Sequence, residues 1–383
     1  MSSLAAVATY RPCWASAEGR VPGPDEDFVT MAVAAARPLR EAAEVRGVAV
    51  VHDGERARDG AAAVLAGALD LGAEVPVDLV PGGPATAAER LGAARPGELV
   101  IGVEGGDRRG GAGAAAALLG AGEGIRGAGQ SRAALPVEAA LAAHDPRLVR
   151  ERAWRPLLSS LRGGDGFHVV GIPAAAAAAF GAERAAGALA GAAGVIDLLA
   201  AMVEADRGGR VVGVEGGRAA ALDLGELRAD VHRAGRRGLV DLPRAAAPGE
   251  IPISLSGYER AFPARVGFKA ARCECGELSL PPRRHCLRCG RQAATTLVEL
   301  PRRASVYSVV TVHAPIPGRA VPYSLAVVEL DGVRLRLLAP VTDARPGTTA
   351  IGCLGALVLR RVADREGVPD YGYSFQPDEE EAG

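Results

Sequence analysis

Four of the six cysteines lie close together, in the segment RCECGELSLPPRRHCLRCG. Cys273 and Cys275 form one pair, and Cys286 and Cys289 form a second pair with the CxxC spacing of zinc knuckles. Four thiolates can enclose one tetrahedral ion with no open coordination position. The pattern therefore predicts a structural Zn²⁺ site and not a catalytic one, although iron or a reduced site without metal remains an alternative.

His285 directly precedes the second pair. It could replace one thiolate as a ligand, but a flanking residue is the simpler interpretation. A ribbon of this size has little apolar core, so we expect metal binding to supply much of its folding free energy. Cys13 and Cys353 lie far from the cluster and are interpreted as small buried apolar residues and not as nucleophiles.

A second stretch, VPVDLVPGGPATAAERL, runs from an apolar strand through Gly82 and Gly83 into an alanine-rich helix. The N-terminus of a helix stabilises negative charge, so a cysteine placed there is readily deprotonated and becomes a nucleophile. Neither serine nor cysteine occurs within four residues of Gly82. The turn thus has the layout that presents a nucleophile, but it carries no such residue.

The composition limits the classes of partner. The chain has 383 residues, 49% of them hydrophobic, and a formal net charge of −1. This balance suggests neither nucleic acid nor an anionic membrane as a partner. The N-terminus has no basic region followed by an apolar run, and no segment approaches the roughly 20 apolar residues of a membrane span. We expect a cytoplasmic protein of two or three domains.

The first 245 residues alternate between helical and short strand patterns, which is typical of an α/β domain. Buried strands are predicted at 47–53, 75–80, 98–104 and 210–215, and helices at 28–43, 85–94 and 195–206.

One pentapeptide, GVEGG, occurs twice, at 102–106 and at 213–217. Each copy follows a helix, a glycine-containing turn and a strand, and the two copies are 111 residues apart. Chance in an Ala- and Gly-rich chain is one explanation. The favoured one is a duplicated α/β fold with two similar halves packed back to back.

The C-terminal part differs from the first 245 residues in its sequence pattern. A proline-rich segment near 240 predicts a linker, and the chain after the cysteines is rich in strand patterns, at 304–314, 323–341 and 355–363. Asp331-Gly332 predicts a two-residue hairpin turn, and a small barrel of the OB type would fit these strands. The expected limits are an α/β domain at 1–262, a zinc ribbon at 263–303, an OB-fold at 304–377 and an acidic tail at 378–383.

The ribbon, its CG…PPR…CxxCG pattern and the strands that follow resemble the OB-fold family that accompanies thiolases and acyl-CoA synthases. The resemblance covers roughly residues 255–375. It implies a bridging subunit for acyl-CoA enzymes, which helps to hold the CoA moiety and does no chemistry by itself.

The first 260 residues resemble the thiolase superfamily, and more narrowly its hydroxymethylglutaryl-CoA synthase branch. The similar segments are GAGAAAALLG at 111–120, FHVVGIP at 167–173 and ISLSGYERAF at 253–262. The resemblance implies a duplicated, layered thiolase-like fold and a coenzyme A thioester as ligand. It also places the family's catalytic cysteine on Gly82, so the usual acyl-enzyme is not expected here.

Other family positions give a mixed result. His168 matches the histidine that polarises a thioester carbonyl, Glu55 lies near the general acid, and Ala190 replaces an expected asparagine. Alternatively, His168 is packed at a strand end and Glu55 is a surface carboxylate. The segments 105–111 and 207–210 could contact CoA phosphates through arginine, but ordinary solvated turns are preferred.

Two hypotheses follow. In the first, the chain is a scaffold subunit without the cysteine, which pairs with a thiolase-like condensing enzyme, or with a second copy, in acyl-CoA condensation or acyl transfer. In the second, it is a cysteine-independent enzyme that forms or cleaves C–C bonds, as a retro-aldolase or C-acyltransferase, with His168 and Glu55 as base and acid. Nucleic-acid binding ranks lowest, because the aromatic side chains that stack on bases are scarce.

Overall fold

A computed structural model of the chain describes most of its length. The described residues are 2–16, 19–53, 60–105, 111–133, 149–163, 167–185, 189–235, 238, 240–241, 261–292, 296–314, 320–365 and 368–379. The sequence prediction of a linker near 240, most of the segment 253–262 and the last four residues of the acidic tail lie outside these ranges.

The helices of the described ranges are α1 (Phe28–Ala42), α2 (Ala61–Ala68), α3 (Pro84–Ala93), α4 (Arg155–Leu161), α5 (Ala174–Ala179) and α6 (Ala192–Glu204). A short π-helix, Arg150–Trp154, leads into α4, and residues 261–265 form a further helical turn. No helix in the described ranges is long and apolar enough to cross a membrane.

The strands of the α/β part are β1 (Ser2–Tyr10), β2 (Trp14–Ser16), β3 (Gly19–Arg20), β4 (Gly47–His52), β5 (Val77–Pro81), β6 (Glu98–Glu104), β7 (Gly113–Ala121), β8 (Ile125–Arg132), β9 (Phe167–Val170), β10 (Arg184–Ala185), β11 (Gly209–Glu215), β12 (Arg218–Leu224), β13 (Asp230–Ala234) and β14 (Val240–Asp241). The strands of the C-terminal part are β15 (Lys269–Arg272), β16 (Leu278–Ser279), β17 (Thr296–Glu299), β18 (Arg303–Val312), β19 (Tyr323–Leu330), β20 (Arg336–Pro340), β21 (Leu354–Arg365) and β22 (Val368–Pro377).

The strand order confirms the internal duplication. The first half runs β1-β7-β6-β4-β5 and the second runs β8-β12-β11-β9-β10, so each half orders its five strands in the same way. In both halves the last three strands of that order are parallel, and the other pairs are antiparallel. A single residue pair, Ser2 with Ile125, joins the halves in one sheet, and β13 and the small sheet β14-β2-β3 lie beside it.

The helices and the two five-stranded halves form five layers. One outer apolar layer contains α1 and α2, the central layer contains α3 and α6, and the other outer layer contains α4 and α5. Alternate side chains of one strand enter different layers: in β7, Ala114 and Ala116 face α1, while Ala115 and Ala117 face the central helices. Strands covered on both faces explain the nearly continuous apolar runs of this sequence.

The C-terminal part has two pieces. The sheet β16-β15-β17 carries the cysteine segment, and β20-β19-β18-β21-β22 forms a five-stranded barrel. A parallel bridge between Val341 and Phe375 brings the ends of that sheet together, so the barrel is nearly closed. The prediction of a small OB-type barrel after a ribbon is confirmed.

The hairpin between β19 and β20 differs from the sequence prediction. The two strands pair as expected, but Leu330 donates its N–H to Leu335 at 3.1 Å, so the loop has four residues and not two. Gly332 takes a left-handed conformation, with φ 73°. The longer loop places Arg336 opposite Glu329, where their side chains bond at 2.6 Å.

A buried ionic cluster joins the barrel to the α/β domain. Arg360 of β21 is only 1% exposed, and its Nη2 lies 2.6 Å from Asp343 and 3.6 Å from Glu26, which precedes α1. Tyr10 donates its hydroxyl proton to Glu26, and Arg360 Nε lies 3.8 Å from Asp25. Burial alone would lower the pKa of Arg360, but the nearby acidic groups, Asp343 first, raise it well above its ordinary value.

Hydrogen bonds around this cluster come from both domains. Trp14 donates Nε1–H to Asp343 at 3.2 Å, Thr342 donates its hydroxyl to Asp25 at 2.8 Å, and Tyr371 donates its hydroxyl to Asp27 at 2.7 Å. Asp27 also begins α1, because its carboxylate accepts the N–H of Thr30 in a capping box. The start of α1 is thus held by its own cap and by the barrel.

Candidate functional site

The four clustered cysteines have the geometry of a metal centre. Their sulfur atoms all lie within 4.8 Å of one another, with 3.7 Å between Cys273 and Cys289 and 3.6 Å between Cys275 and Cys286. A tetrahedral zinc with Zn–S bonds of about 2.3 Å would separate its sulfur ligands by about 3.8 Å. The described residues therefore present four sulfur ligands at distances that fit such an ion.

Glycine shapes both knuckles. Gly276 and Gly290 each follow the second cysteine of a pair and adopt left-handed conformations, with φ 86° and φ 69°. Their N–H groups donate to the carbonyls of Cys273 and Cys286 at 2.8 and 3.0 Å, which closes each turn beneath the sulfur atoms. A residue with a Cβ would be strained at either position, so the glycines are part of the site.

The surroundings of Cys286 favour its thiolate. The backbone N–H groups of Cys289 and Arg288 lower the pKa of Cys286 to about 7, so this thiol loses its proton more readily than an isolated cysteine does. His285 pairs with Gln292 through a backbone bridge, and the group of candidate ligands among the described residues consists of the four cysteines. A ligand role for His285 gains no support.

The glycine turn before α3 is bound by a carboxylate. Glu215, at the end of β11, accepts the N–H of Gly83 at 2.5 Å and the N–H of Thr86 at 3.2 Å. Its other oxygen accepts the Thr86 hydroxyl at 2.9 Å. Two of the N–H groups that a helix leaves unpaired at its N-terminus are here bonded to a carboxylate from the other half of the domain.

The same contact occurs a second time with the roles of the two halves exchanged. Glu104, at the end of β6, accepts the N–H groups of Ala190 and Gly191 at 3.0 and 2.8 Å, just before α6. The glutamates of the two GVEGG copies therefore each bind the N-terminus of the central helix that belongs to the opposite half. This exchange gives the repeated motif a physical role.

The first glycine of each copy has a role in the same contact. A Cβ added at Gly102 would lie 2.5 Å from the carbonyl oxygen of Ala192, and one at Gly213 would lie 2.1 Å from that of Pro84. Both distances are far inside van der Waals contact. Only glycine lets the first turn of each central helix approach the strand of the opposite half.

Gly82, where the family resemblance places the nucleophile, is equally restricted. A Cβ there would lie 2.3 Å from Oγ1 and 2.6 Å from Cβ of Thr86, whose hydroxyl is bonded to Glu215. A cysteine side chain would have to displace Thr86 and the glutamate contact behind it. The space that a thiolate would need is filled by neighbouring side chains.

Of the other two predicted catalytic residues, the structure describes His168. His168 is the second residue of β9 and is buried, on the same face of the strand as Val170 in the central layer. His168 precedes Gly171 by three residues, which is about 10 Å along a strand. Gly171 lies next to Pro84, the first residue of α3. Glu55 lies outside the described residues. Catalytic roles for both remain predictions.

The arginine loops considered as phosphate sites are only partly described. Residues 106–110 lie outside the described ranges. In the other loop, Arg210 donates to Asp223 at 2.7 Å and to the carbonyl of Leu161 at 3.1 Å. These bonds are internal, so Arg210 is held within the fold, as the preferred interpretation of ordinary turns implies.

Glu104 has an electrostatic character of its own. It is only 5% exposed, and Oε1 has no hydrogen-bond partner among the described residues. Burial raises the pKa of Glu104 from 4.5 to about 7, despite the two N–H groups and the charge of Arg11, which lower it. The carboxyl therefore holds its proton to a higher pH in the folded chain than in the unfolded chain.

This shift predicts a pH dependence. Between pH 4.5 and 7 the unfolded chain has lost a proton from Glu104 that the folded chain keeps. The stability that Glu104 contributes is thus complete below the lower value and is lost as the pH rises through the higher one, on the order of 1 kcal/mol per pH unit. Urea unfolding of the wild type and of Glu104→Gln should show the variant gaining stability relative to the wild type between about pH 4.5 and about pH 7. A difference that does not change with pH would contradict this assignment.

Sequence reasoning missed the residues that organise this region. Glu104 and Glu215 were visible as the acidic member of a repeated motif, but their partners lie in the opposite half. The local sequence LVLRRV does not show that Arg360 is buried while the neighbouring Arg361 is only half-buried.

A comparison with known protein families supports the C-terminal part of this architecture. Residues 297–358 match the family described as "ChsH2, C-terminal OB-fold domain". No curated protein matches the chain.

Similar solved structures include a 3-oxoacyl-(acyl-carrier-protein) synthase III, with 15% identity and a TM-score of 0.46 over 59% of this chain and 99% of that chain. A variant of OleA from Xanthomonas campestris has 14% identity and a TM-score of 0.45 over 58% and 97%. An Ltp2-ChsH2(DUF35) aldolase has 28% identity and a TM-score of 0.27 over 33% of this chain and 96% of that chain.

These TM-scores are below 0.5, so the description of the fold rests on the strand order and on the family match. The two halves have the same strand order around paired central helices, and a ribbon and a nearly closed barrel follow. The chain joins a layered α/β domain of two similar halves to a ribbon and a nearly closed barrel, and residues 297–358 of this C-terminal part match the OB-fold family of ChsH2.

Proposed function

We propose that this protein is a scaffold subunit that pairs with an active thiolase-like enzyme in acyl-CoA condensation or acyl transfer. The single observation that carries the proposal is the occupied N-terminus of α3. Glu215 and Thr86 take the place that a covalent acyl carrier would need, and no cysteine or serine adjoins the turn.

The chemistry of acyl transfer explains why this contact matters. A thioester intermediate requires a thiolate and a set of N–H donors directed at the oxyanion that develops during attack. At both central helices those donors are bonded to an internal glutamate, from Gly83 and Thr86 on one side and from Ala190 and Gly191 on the other. An incoming carbonyl would have to displace the hydrogen bonds of Glu215 at one end or those of Glu104 at the other.

The pairing element in this proposal is β5, which forms the outer edge of the first half. Among the described residues its ladder partner is β4, on one side. An open strand edge presents unpaired N–H and C=O groups that a strand of another subunit can complete. ChsH2, whose OB-fold domain matches residues 297–358, is named together with Ltp2 in a solved aldolase. A thiolase-like partner, or a second copy, is consistent with that association.

The metal in this proposal is structural zinc. Four thiolates without an open position would cross-link the two knuckles and hold the ribbon against the barrel. Its ligands would be Cys273, Cys275, Cys286 and Cys289. An acyl-CoA is the proposed ligand of the assembled complex.

Mass spectrometry after incubation with an acyl-CoA tests the proposal. The isolated chain should remain unacylated, and Gly82→Cys should also fail to accumulate an acyl-enzyme, because Thr86 and Glu215 fill the space around it. A double variant, Gly82→Cys with Thr86→Ala, serves as the comparison in which the clash is relieved. Acyl transfer should appear only after addition of a cysteine-containing thiolase-like enzyme, preferably one encoded beside this chain. Stoichiometric acylation of the wild type within its first 260 residues would overturn the scaffold proposal.

A further inference from the structure

The junction between the α/β domain and the barrel buries three carboxyl groups around one guanidinium. Arg360 lies 3.8 Å from Asp25, 3.6 Å from Glu26 and 2.6 Å from Asp343. The shortest of these contacts, with Asp343, largely balances the single positive charge. A carboxylate in a closed interior is costly without a cation of its own. We therefore expect Asp25 or Glu26 to be neutral while the junction is closed.

Glu26 is the carboxyl that is fully withdrawn from water. Its side chain is 0% exposed, whereas the side chain of Asp25 is 26% exposed. Glu26 accepts the N–H of Gly23 at 2.7 Å and the hydroxyl of Tyr10, but Arg360 is too distant to donate a hydrogen bond to it. Burial also raises the pKa of Asp25, yet water that reaches this side chain stabilises its charge. Glu26 is thus the carboxyl whose neutral form the surroundings favour most.

The groups that face Glu26 keep their own charge states near neutral pH. Burial raises the pKa of Tyr10 and of Cys13, so both retain their protons. Arg360 stays charged, because burial lowers its pKa less than the nearby acidic groups, Asp343 first, raise it. Burial raises the pKa of Glu26 from 4.5 to about 7, against the attraction of Arg360, which lowers it. The proton that is exchanged close to neutral pH therefore belongs to Glu26.

The contacts that shield Glu26 cross the junction. Arg360 belongs to β21 and Asp343 follows β20, whereas Glu26 and Trp14 belong to the α/β domain. Trp14 donates to Asp343 at 3.2 Å and is only 6% exposed. Moving the barrel away would admit water to Glu26, which returns its pKa toward 4.5. Closure of the junction is thus coupled to the proton of Glu26.

We propose that the junction is a proton-dependent latch, in which a protonated Glu26 holds the barrel against the α/β domain and loss of that proton loosens the contact. The contribution of Glu26 to closure is complete below pH 4.5 and is lost as the pH rises to about 7. Between these values the ratio of closed to open chains should fall about tenfold per pH unit, on the order of a hundredfold in all. The position of the barrel therefore responds to pH around neutrality.

Two measurements on the full chain test the latch between pH 5.5 and 7.5. The chain has two tryptophans, so Trp154→Phe leaves Trp14 as the reporter of the junction. Acrylamide quenching of Trp14 should increase with pH, and so should proteolysis between 242 and 260. Glu26→Gln copies the neutral carboxyl, since its amide can accept from Gly23 and donate to Tyr10, and should keep both signals low at every pH. Relative to Glu26→Gln, which cancels the pH dependence of the protease itself, cleavage of the wild type should rise roughly tenfold or more.

Glu104→Gln is the matched control. Glu104 is also buried with a pKa raised to about 7, but it binds the start of α6 within the α/β domain, so this variant should keep the full response of the junction. Asp25→Asn should keep it as well.

Three results would overturn the inference: a wild type whose Trp14 quenching and cleavage do not change with pH, a Glu26→Gln chain that responds like the wild type, or an Asp25→Asn chain that has lost the response. The last would assign the proton to Asp25. The wild-type measurement decides even if Glu26→Gln does not fold. This inference and the scaffold proposal fail separately, because acylation and enzyme pairing are measured in other experiments.

Discussion

Replacing Arg360 with methionine is expected to lower the free energy of unfolding by about 3–5 kcal/mol, because it leaves the neighbouring carboxylates buried without their cation. Methionine keeps much of the volume, so the loss reports the charge and its hydrogen bonds. Arg360 lies within 2.6 Å of Asp343, 3.6 Å of Glu26 and 3.8 Å of Asp25. These residues come from both domains, so the barrel should also separate from the α/β domain more readily.

Two measurements check this expectation. Urea unfolding gives the change in free energy, and limited proteolysis between 242 and 260 reports whether the domains have separated. The matched control is Arg303→Met, since Arg303 forms a half-exposed ion pair with Asp378 at 2.6 Å. A pair of that kind contributes at most about 1 kcal/mol. If Arg360→Met cost no more than Arg303→Met, the buried cluster would not hold the domains together.

Asp343 occupies a strained position in the same cluster. It is buried, has a left-handed backbone with φ 55°, and accepts hydrogen bonds from Arg360, Gln376 and Trp14. Non-glycine residues with that conformation persist where the surrounding contacts compensate for it. Here the compensation comes from donors of both domains, which is why the interface and the loop that carries Asp343 depend on each other.

Removing the metal is expected to unfold the ribbon while the α/β domain stays folded. Structural zinc sites contribute about 10–16 kcal/mol of apparent binding free energy, far more than so small an element can gain from its core. We expect about one zinc per chain by elemental analysis, and none in the double variant Cys286→Ser with Cys289→Ser. Protease sensitivity should then increase between 273 and 292, with little change in the helical circular dichroism signal.

The control for this experiment is Cys353→Ser. Cys353 is half-buried near the start of β21 and is not in the ligand group, so its replacement should leave the zinc content unchanged. Retention of zinc by the Cys286/Cys289 double variant would contradict the assignment, and so would the absence of any metal after anaerobic purification of the wild type. A bound iron would keep the ligands but change the identity of the ion.

Crossed helix-capping contacts connect the two halves of the α/β domain. Each half of this domain supplies a strand that ends in glutamate and a helix that begins with unpaired N–H groups, and each glutamate binds the helix of the other half. The pairing stabilises the contact between the halves, since separating them would expose four donors and two carboxylates. The motif GVEGG thus encodes the association of the halves as well as a local turn.

Much of the architecture could be predicted from local sequence. Cysteine spacing is short-range and identifies the ligand set, because the four sulfurs lie on two tight turns within 17 residues. The GVEGG repeat predicts the duplication, since a motif that recurs with the same flanking elements builds the same supersecondary unit twice. The absence of a nucleophile beside Gly82 is also a property of the sequence alone.

The tertiary structure decided what those features do. The helix N-termini that Glu215 and Glu104 bind lie 132 and 87 positions away, and Glu26, which Arg360 meets in the other domain, lies more than 300 positions away. No local pattern could therefore show that the glutamates close the helix ends or that the arginine joins two domains. Neighbouring residues determine short-range geometry such as a turn or a ligand spacing. The burial of a charge depends instead on how distant segments of the chain pack together.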